Sequence, residues 1–342
     1  APALRRMGRP RPPAPLLLLL GLQRWAGAAG QTPGFLLVSA PRNAKISWVK
    51  LPEDGDLTNL KPETLVGEGL HHPQGIAVDQ KRKRLYVADP DVAKIYSYQL
   101  VITGDVLTTD GSRTVVSHSA ESRWVAVDGM GNVFFSDEPR SLILKVPAAQ
   151  LRRGDMQPEV VYSGGTFSQV NEPGGVAVDN LNVYWTNKHF GTQAGSVVRG
   201  AEAPLALGGL GGGAGSLSVL ASNAVKTYGV CLALGNVFFT NSEKSIYGVK
   251  KAGGPVVEVS SALNRPRGCA WDGDGTVYVA DRVGAVYSFA GNMRTISRAE
   301  VRRAFAFEDA FGLAAIRAGA HGRALPLAAA LAAALALLAA PL

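Results

Sequence analysis

Glu172, Asn187, Asn241 and Asp281 have the clearest capacity for chemistry in this chain. Each stands at the edge of a short apolar run. Together they offer carboxylate and amide oxygens, the donors that suit a hard divalent cation such as Ca²⁺. A second group, His72, Arg123, Glu172, Lys226, Tyr228 and Arg267, lies just ahead of the apolar runs. Its mix of charge and aromatic surface suits ligand binding. His71 and His72 are adjacent, and neighbours on an extended segment point apart, so joint ligation is not expected. A plainer reading stands beside the metal reading: these polar residues close turns by accepting backbone N–H bonds. No G-x-S-x-G elbow, H-E-x-x-H pair or Walker loop occurs. The glycine cluster Gly208–Gly215 lacks the Lys-Ser/Thr of a phosphate loop and reads as a flexible connection.

The elements that must position these residues are visible as a repeat. "GIAVD" at Gly75–Asp79 returns as "WVAVD" at Trp124–Asp128 and "GVAVD" at Gly175–Asp179. Looser copies follow as "GVCLA" from Gly229, "GCAWD" from Gly268 and "GLAAI" from Gly312. The starts are 49, 51, 54, 39 and 44 residues apart. Five copies are followed by a second run: "LYVAD", "VFFSD", "VYWTN", "VFFTN" and "VYVAD". The sixth copy finds its counterpart at the front of the chain, in "FLLVSAP" at Phe35–Pro41. β-Branched and aromatic runs joined by Gly, Asn and Asp are hairpins. Third and fourth strands follow most of them. Repeats of this length with four strands each are propeller blades.

The expected fold is therefore all-β: a six-bladed β-propeller with four-stranded blades over residues 31–317. Outer strands from residues 35–66 pair with the inner strand Phe311–Ile316 and close the ring. Ser297–Phe305 is the clearest helix-like piece inside it.

The net charge of +8 does not imply nucleic acid. Five arginines fall within residues 1–30 and Arg323 within 318–342, without acids. Setting these six aside leaves 29 basic against 27 acidic residues, so the middle is nearly neutral. Residues 1–30 read as a signal-peptide-like segment. Arg9 and Arg11 follow Met7, then the apolar core Leu16–Leu20 and small residues Ala26–Gly30. Residues 318–342 read as a short linker and a hydrophobic tail. Ala324–Leu342 is 19 residues without a charge, about 28 Å as a helix, which suits membrane attachment through an anchor signal or a span. These ends place the protein in the secretory pathway, at the cell surface or outside it. A monomer is expected.

Cys231 and Cys269 fall in the inner runs of successive repeats at opposite parity. That parity lets them meet or point apart. Buried free thiols are the default expectation.

"HPQGIAVD…RLYVAD…IYSY" and "EPGGVAVD…NVYWTN" resemble six-bladed propellers of the NHL and YWTD (low-density lipoprotein receptor class B) groups. The resemblance covers about residues 32–317. Gluconolactonase-like and strictosidine-synthase-like proteins share this architecture. The propeller groups imply a protein or small-molecule ligand at one mouth of the central channel. The gluconolactonase-like relation implies a divalent metal held by Glu, Asn and Asp, which would polarise a lactone carbonyl and help activate water. The strictosidine-synthase-like relation leaves Glu172 as the only acid to nominate. Fold does not decide among these. The leading expectation is a non-catalytic binding propeller, with a metal-dependent lactone or ester hydrolase as the alternative.

Overall fold

Each repeat begins with a strand that is apolar toward its neighbours and ends on a turn. The computed structural model describes residues 34–318 apart from 53–54, 58–59, 119, 155, 190–194, 205–216 and 223–225. Residues 1–30, the tail beyond 318 and the cluster Gly208–Gly215 lie outside the described residues.

Six four-stranded antiparallel sheets form six blades. The innermost strands are Ile76–Asp79, Val125–Val127, Pro173–Val178, Thr227–Ala233, Pro266–Trp271 and Leu313–Arg317, for blades one to six. In blade six the inner strand pairs with Gly34–Ala40, which continues to Lys45–Leu51 and Glu63–Val66. Gly34 lies opposite Arg317 and Val38 opposite Leu313, so the first and last described strands close the ring. That is the closure the offset repeat implies.

Apolar side chains fill the spaces between blades. Phe35, Leu37, Leu85 and Val87 pack between blades six and one, while Phe134, Val183 and Trp185 pack between blades two and three. Each large buried side chain contributes about 1.5–3 kcal/mol by leaving water.

Two faces result. On the upper face, the loops entering the inner strands meet the loops that follow the second strands. On the lower face lie the tips of the inner hairpins, together with Gly34 and Arg317. Aspartates close these tips as turn formers. Asp79 Oδ1 accepts the Lys81 and Arg82 N–H groups, and Asp272 Oδ1 accepts those of Asp274, Gly275 and Thr276.

Two expectations need correction. The helix-like piece Ser297–Phe305 is not helical. Arg302–Ala306 is the outer strand of blade five, paired with Ala285–Ala290. Its Ala- and Arg-rich composition favours helix locally, and the ladder overrides that preference. Among the described residues the α-helix present is Ala148–Arg153, in blade two. The second correction concerns the cysteines. Cys231 and Cys269 are not free thiols: they form a disulfide between the inner strands of blades four and five, with Cα atoms 5.6 Å apart. Opposite parity points the two side chains into the same inter-blade space.

Candidate functional site at the upper face

The upper face is built by hydroxyl staples between blades. The penultimate residue of a second strand reaches the entering end of the inner strand of the next blade. Thr186 Oγ1 donates to the Tyr228 carbonyl at 2.6 Å, and Thr240 Oγ1 donates to the Arg267 carbonyl at 2.6 Å. Ser39 and Ser136 hold the Gln74 and Gly174 carbonyls in the same way. The staples fix the backbone beneath Tyr228 and Arg267, so their side chains project from anchored positions.

The predicted binding residues Arg123, Lys226, Tyr228 and Arg267 share one arc that spans blades two to five. Arg123 pairs with Glu121 at 2.8 Å and with Glu138 at 3.3 Å. Glu138 also accepts the Lys188 ammonium. Lys188 is only 5% exposed, and its nitrogen lies 5.8 Å from the centre of the Tyr228 ring. Lys226 adds positive charge beside Lys188. The Arg267 guanidinium stacks on the other side of this group, 4.0 Å from the Tyr228 ring centre, a favourable cation–π contact. Its own hydrogen bond goes to the Pro266 carbonyl, and among the described residues it has no carboxylate in an ion pair. Farther round, Arg282 pairs with Asp309 and lies over Phe311.

Burial shapes the charge of this arc. Desolvation lowers the Lys188 ammonium from its ordinary value, and Glu138 opposes the shift. Desolvation likewise lowers the Arg267 guanidinium. Both cations are held at some cost in a partly dry setting, which a negative group would offset.

Glu172, Asn187, Asn241 and Asp281 occupy upper positions of blades three, four and five, and the side-chain oxygens of the last three serve the backbone. Asn187 Oδ1 accepts the Asn171 N–H. Asn241 Oδ1 accepts the Glu243 and Ser245 N–H groups. Asp281 accepts N–H groups from Asn264, Arg265 and Val283. Glu172 sits at φ +46°, with its carbonyl receiving the Lys188 N–H. Asn187, Asn241 and Asp281 thus spend side-chain oxygens on N–H donors, which leaves fewer of them for a divalent ion. Among the described residues no group of three or more His, Cys, Asp or Glu is placed to hold a metal. His72 stands apart from the arc: its backbone N–H, like that of His71, is bound by Asp89.

No protein-family model matches the chain, and no curated protein matches it. Solved structures do. A nidogen/laminin complex contains a chain similar at TM-score 0.62 and 15% identity, over 82% of this chain and 98% of that one. A gluconolactonase from Xanthomonas campestris gives TM-score 0.51 and 12% identity, over 82% and 87%. A streptogramin B lyase gives 0.51 and 12%, over 83% and 87%. The shared feature is the fold. It is the six-bladed propeller that the repeat pattern implies, and it is common to binding proteins and enzymes.

Two contributors were not legible as site residues. Lys188 follows "VYWTN" with no motif of its own. Trp124 carried a signal, because it stands where the other five repeats have glycine. Gly75, Gly175, Gly229, Gly268 and Gly312 form a tight collar at the top of the axis. A Cβ on Gly229 would lie 2.2 Å from the Arg267 carbonyl oxygen. In this collar of backbone, the Trp124 indole fills the space.

Proposed function

We propose that this protein is a non-catalytic propeller that binds a protein or other ligand through its upper face. The observation that carries the reading is the Lys188–Tyr228–Arg267 arrangement. Two desolvated cations flank one aromatic ring, and one of them has no carboxylate partner among the described residues. A stacked guanidinium with a free edge suits an acidic group on the ligand. The similar propeller in the nidogen/laminin complex lends support to a protein as that ligand.

The disulfide supports a route through the secretory pathway, since such bonds persist in oxidising compartments. Gly34 and Arg317 pair at the lower face, opposite the arc of cations. Among the described residues no helix is long and apolar enough to cross a membrane.

The discriminating experiment is thermal unfolding of the full chain against EDTA, Ca²⁺, Mg²⁺, Mn²⁺ and Zn²⁺. A cation held at about 100 times its dissociation constant stabilises by about 2.7 kcal/mol. A flat response, together with retention of an acidic polyglutamate peptide that Arg267→Ala abolishes, is the expected result. A metal-dependent shift removed by Glu172→Ala or Asn241→Ala, with turnover of a lactone, overturns it in favour of the hydrolase.

A further inference from the structure

The lower face carries exposed apolar side chains that the fold does not use. Met130, Leu181 and Leu234 stand at the inner hairpin tips of blades two, three and four. They are 68%, 76% and 58% exposed. At the upper loops, among the described residues, Val283 is the one exposed large apolar side chain. The three tips are held in place by their neighbours. Arg82 donates to the Met130 carbonyl at 2.7 Å, Asn180 Oδ1 accepts the Gly129 N–H, and Lys251 pairs with Asp179 at 3.0 Å. Leu234 sits at φ +53°, in the left-handed region that favours glycine or asparagine. A leucine exposed to water there serves neither the turn nor the core.

The charges beside these tips are unbalanced toward positive. Lys81, at the tip of blade one, is exposed, as are Arg152 and Arg153 on the helix that starts beside Asn132. None of the three has an ion pair among the described residues. Lys83 and Lys250 donate to neutral oxygens of Arg317 and Asn236. The acids of this arc are spent. Asp79, Glu159 and Asp179 pair with Arg82, Lys145 and Lys251, while Asp128 and Glu202 are only 6% and 9% exposed. Apolar tips among uncancelled cations fit a lipid surface, which takes up the first and attracts the second. Three separate protruding tips lack the contiguous centre of a protein interface, where lysine is depleted. The closing strand also ends at Arg317 on this face, and the sequence beyond it includes the uncharged run Ala324–Leu342.

We propose that the lower face docks on a lipid bilayer bearing anionic headgroups. Met130, Leu181 and Leu234 enter the boundary between headgroups and acyl chains. Lys81, Arg152 and Arg153 meet the lipid phosphates around them. Because the tips are tied to one another across blades, they insert as a preset array and little ordering is needed on contact. This inference does not rest on the upper-face reading and uses none of its residues.

Cosedimentation of the full chain with phosphatidylcholine vesicles containing phosphatidylserine tests this. Combining Met130→Asn, Leu181→Asn and Leu234→Asn is expected to lower partitioning about 10-fold or more. Lys81→Gln is expected to lower it about 5-fold at low salt. Val219→Asn, on an exposed outer strand of blade three, is the control and leaves partitioning unchanged. A fluorophore reports the orientation: on Leu181→Cys it is quenched by brominated lipid, and on Val283→Cys it is not. Thermal unfolding checks that each variant folds. If the triple variant does not fold, the two labelled variants still decide. The proposal is overturned if the wild-type protein does not bind the vesicles, if the folded triple variant partitions as wild type does, or if the two labels are quenched alike.

Discussion

Trp124 and Phe311 meet across the top of the axis, ring centroids 5.1 Å apart and planes tilted by 35°. They belong to the entering segments of blades two and six, with blade one between them. The contact is feasible because blade one contributes Gly75, where any side chain would collide with the Trp124 backbone. One pair of rings thus ties two non-neighbouring blades. Truncating either to Ala is expected to cost about 3–5 kcal/mol in urea unfolding. The double variant should cost about 0.5–1.5 kcal/mol less than the sum, because the ring–ring contact is lost only once. Strict additivity would show that the rings do not couple the blades.

The collar glycines make a sharper test of the close approach. Gly229→Ala drives a methyl to 2.2 Å from the Arg267 carbonyl oxygen, which is backbone and cannot swing aside. Gly235 lies at an exposed hairpin tip, where an added methyl would meet nothing within 4 Å. Overpacking predicts a loss of about 1–3 kcal/mol or more for Gly229→Ala. Gly235→Ala is expected to be neutral or stabilising by up to about 1 kcal/mol, through the unfolded chain. Equal unfolding midpoints for the two variants would contradict the collar.

The ring was legible because the repeat carries its own phase. Each Gly-x-Ala-x-Asp run marks an inner strand, and the missing partner of the sixth copy points to "FLLVSAP" at the front. The outer strand of blade five was not legible. An edge strand makes one ladder, so Arg302–Ala306 needs little β-propensity and reads as helix. The metal set is ambiguous in the sequence for a related reason. Asn241 and Asp281 stand at strand ends, where both roles call for the same oxygens. Sequence spacing does not reveal whether those oxygens face a cation or the N–H groups of Ser245 and Arg265. Lys188 was hidden because its partner, Glu138, comes from another blade.

The disulfide predicts a dependence on redox state. Cys231 and Cys269 are 38 residues apart in sequence and staple blade four to blade five. Replacing both by Ala is expected to cost about 2–4 kcal/mol, chiefly by freeing the unfolded chain. Calorimetry with and without reductant should show the wild-type protein falling to the level of the variant. A wild-type midpoint that reductant leaves in place, under conditions where free-thiol labelling confirms reduction, would contradict the staple.

The Lys188–Glu138 pair predicts an asymmetry between its two truncations. Lys188 is nearly inaccessible, whereas the Glu138 side chain is 21% exposed. Glu138→Gln strands a buried ammonium beside Arg123 and Lys226, and breaking such a pair costs about 3–5 kcal/mol. Lys188→Met removes the buried charge and leaves a carboxylate that still has Arg123 and some water. That variant is expected to lose much less, and urea midpoints at neutral pH measure the difference. Equal losses, or a larger one for Lys188→Met, would mean that burial of Lys188 does not set the cost.

Glu202 gives the fold a pH dependence of known sign. It lies on the lower face at 9% exposure, and its Oε1 accepts the Asn180 N–H at 2.9 Å. Burial, with the nearby Asp128 charge, pushes its carboxyl up to about 7. An unfolded glutamate releases its proton near pH 4.3, roughly. Below that pH both states hold the proton, and the group favours neither. As pH rises toward 7 the unfolded chain gains by ionising and the folded chain does not, so stability falls across this window. Above about 7 both states are ionised, and the contribution of this group levels off. Glu202→Gln keeps an oxygen for Asn180 and removes the titration. The variant should match wild type near pH 4 and exceed it at pH 8, with a flatter profile between. Urea midpoints measured across that range test this directly, and superimposable profiles would rule Glu202 out as the titrating group.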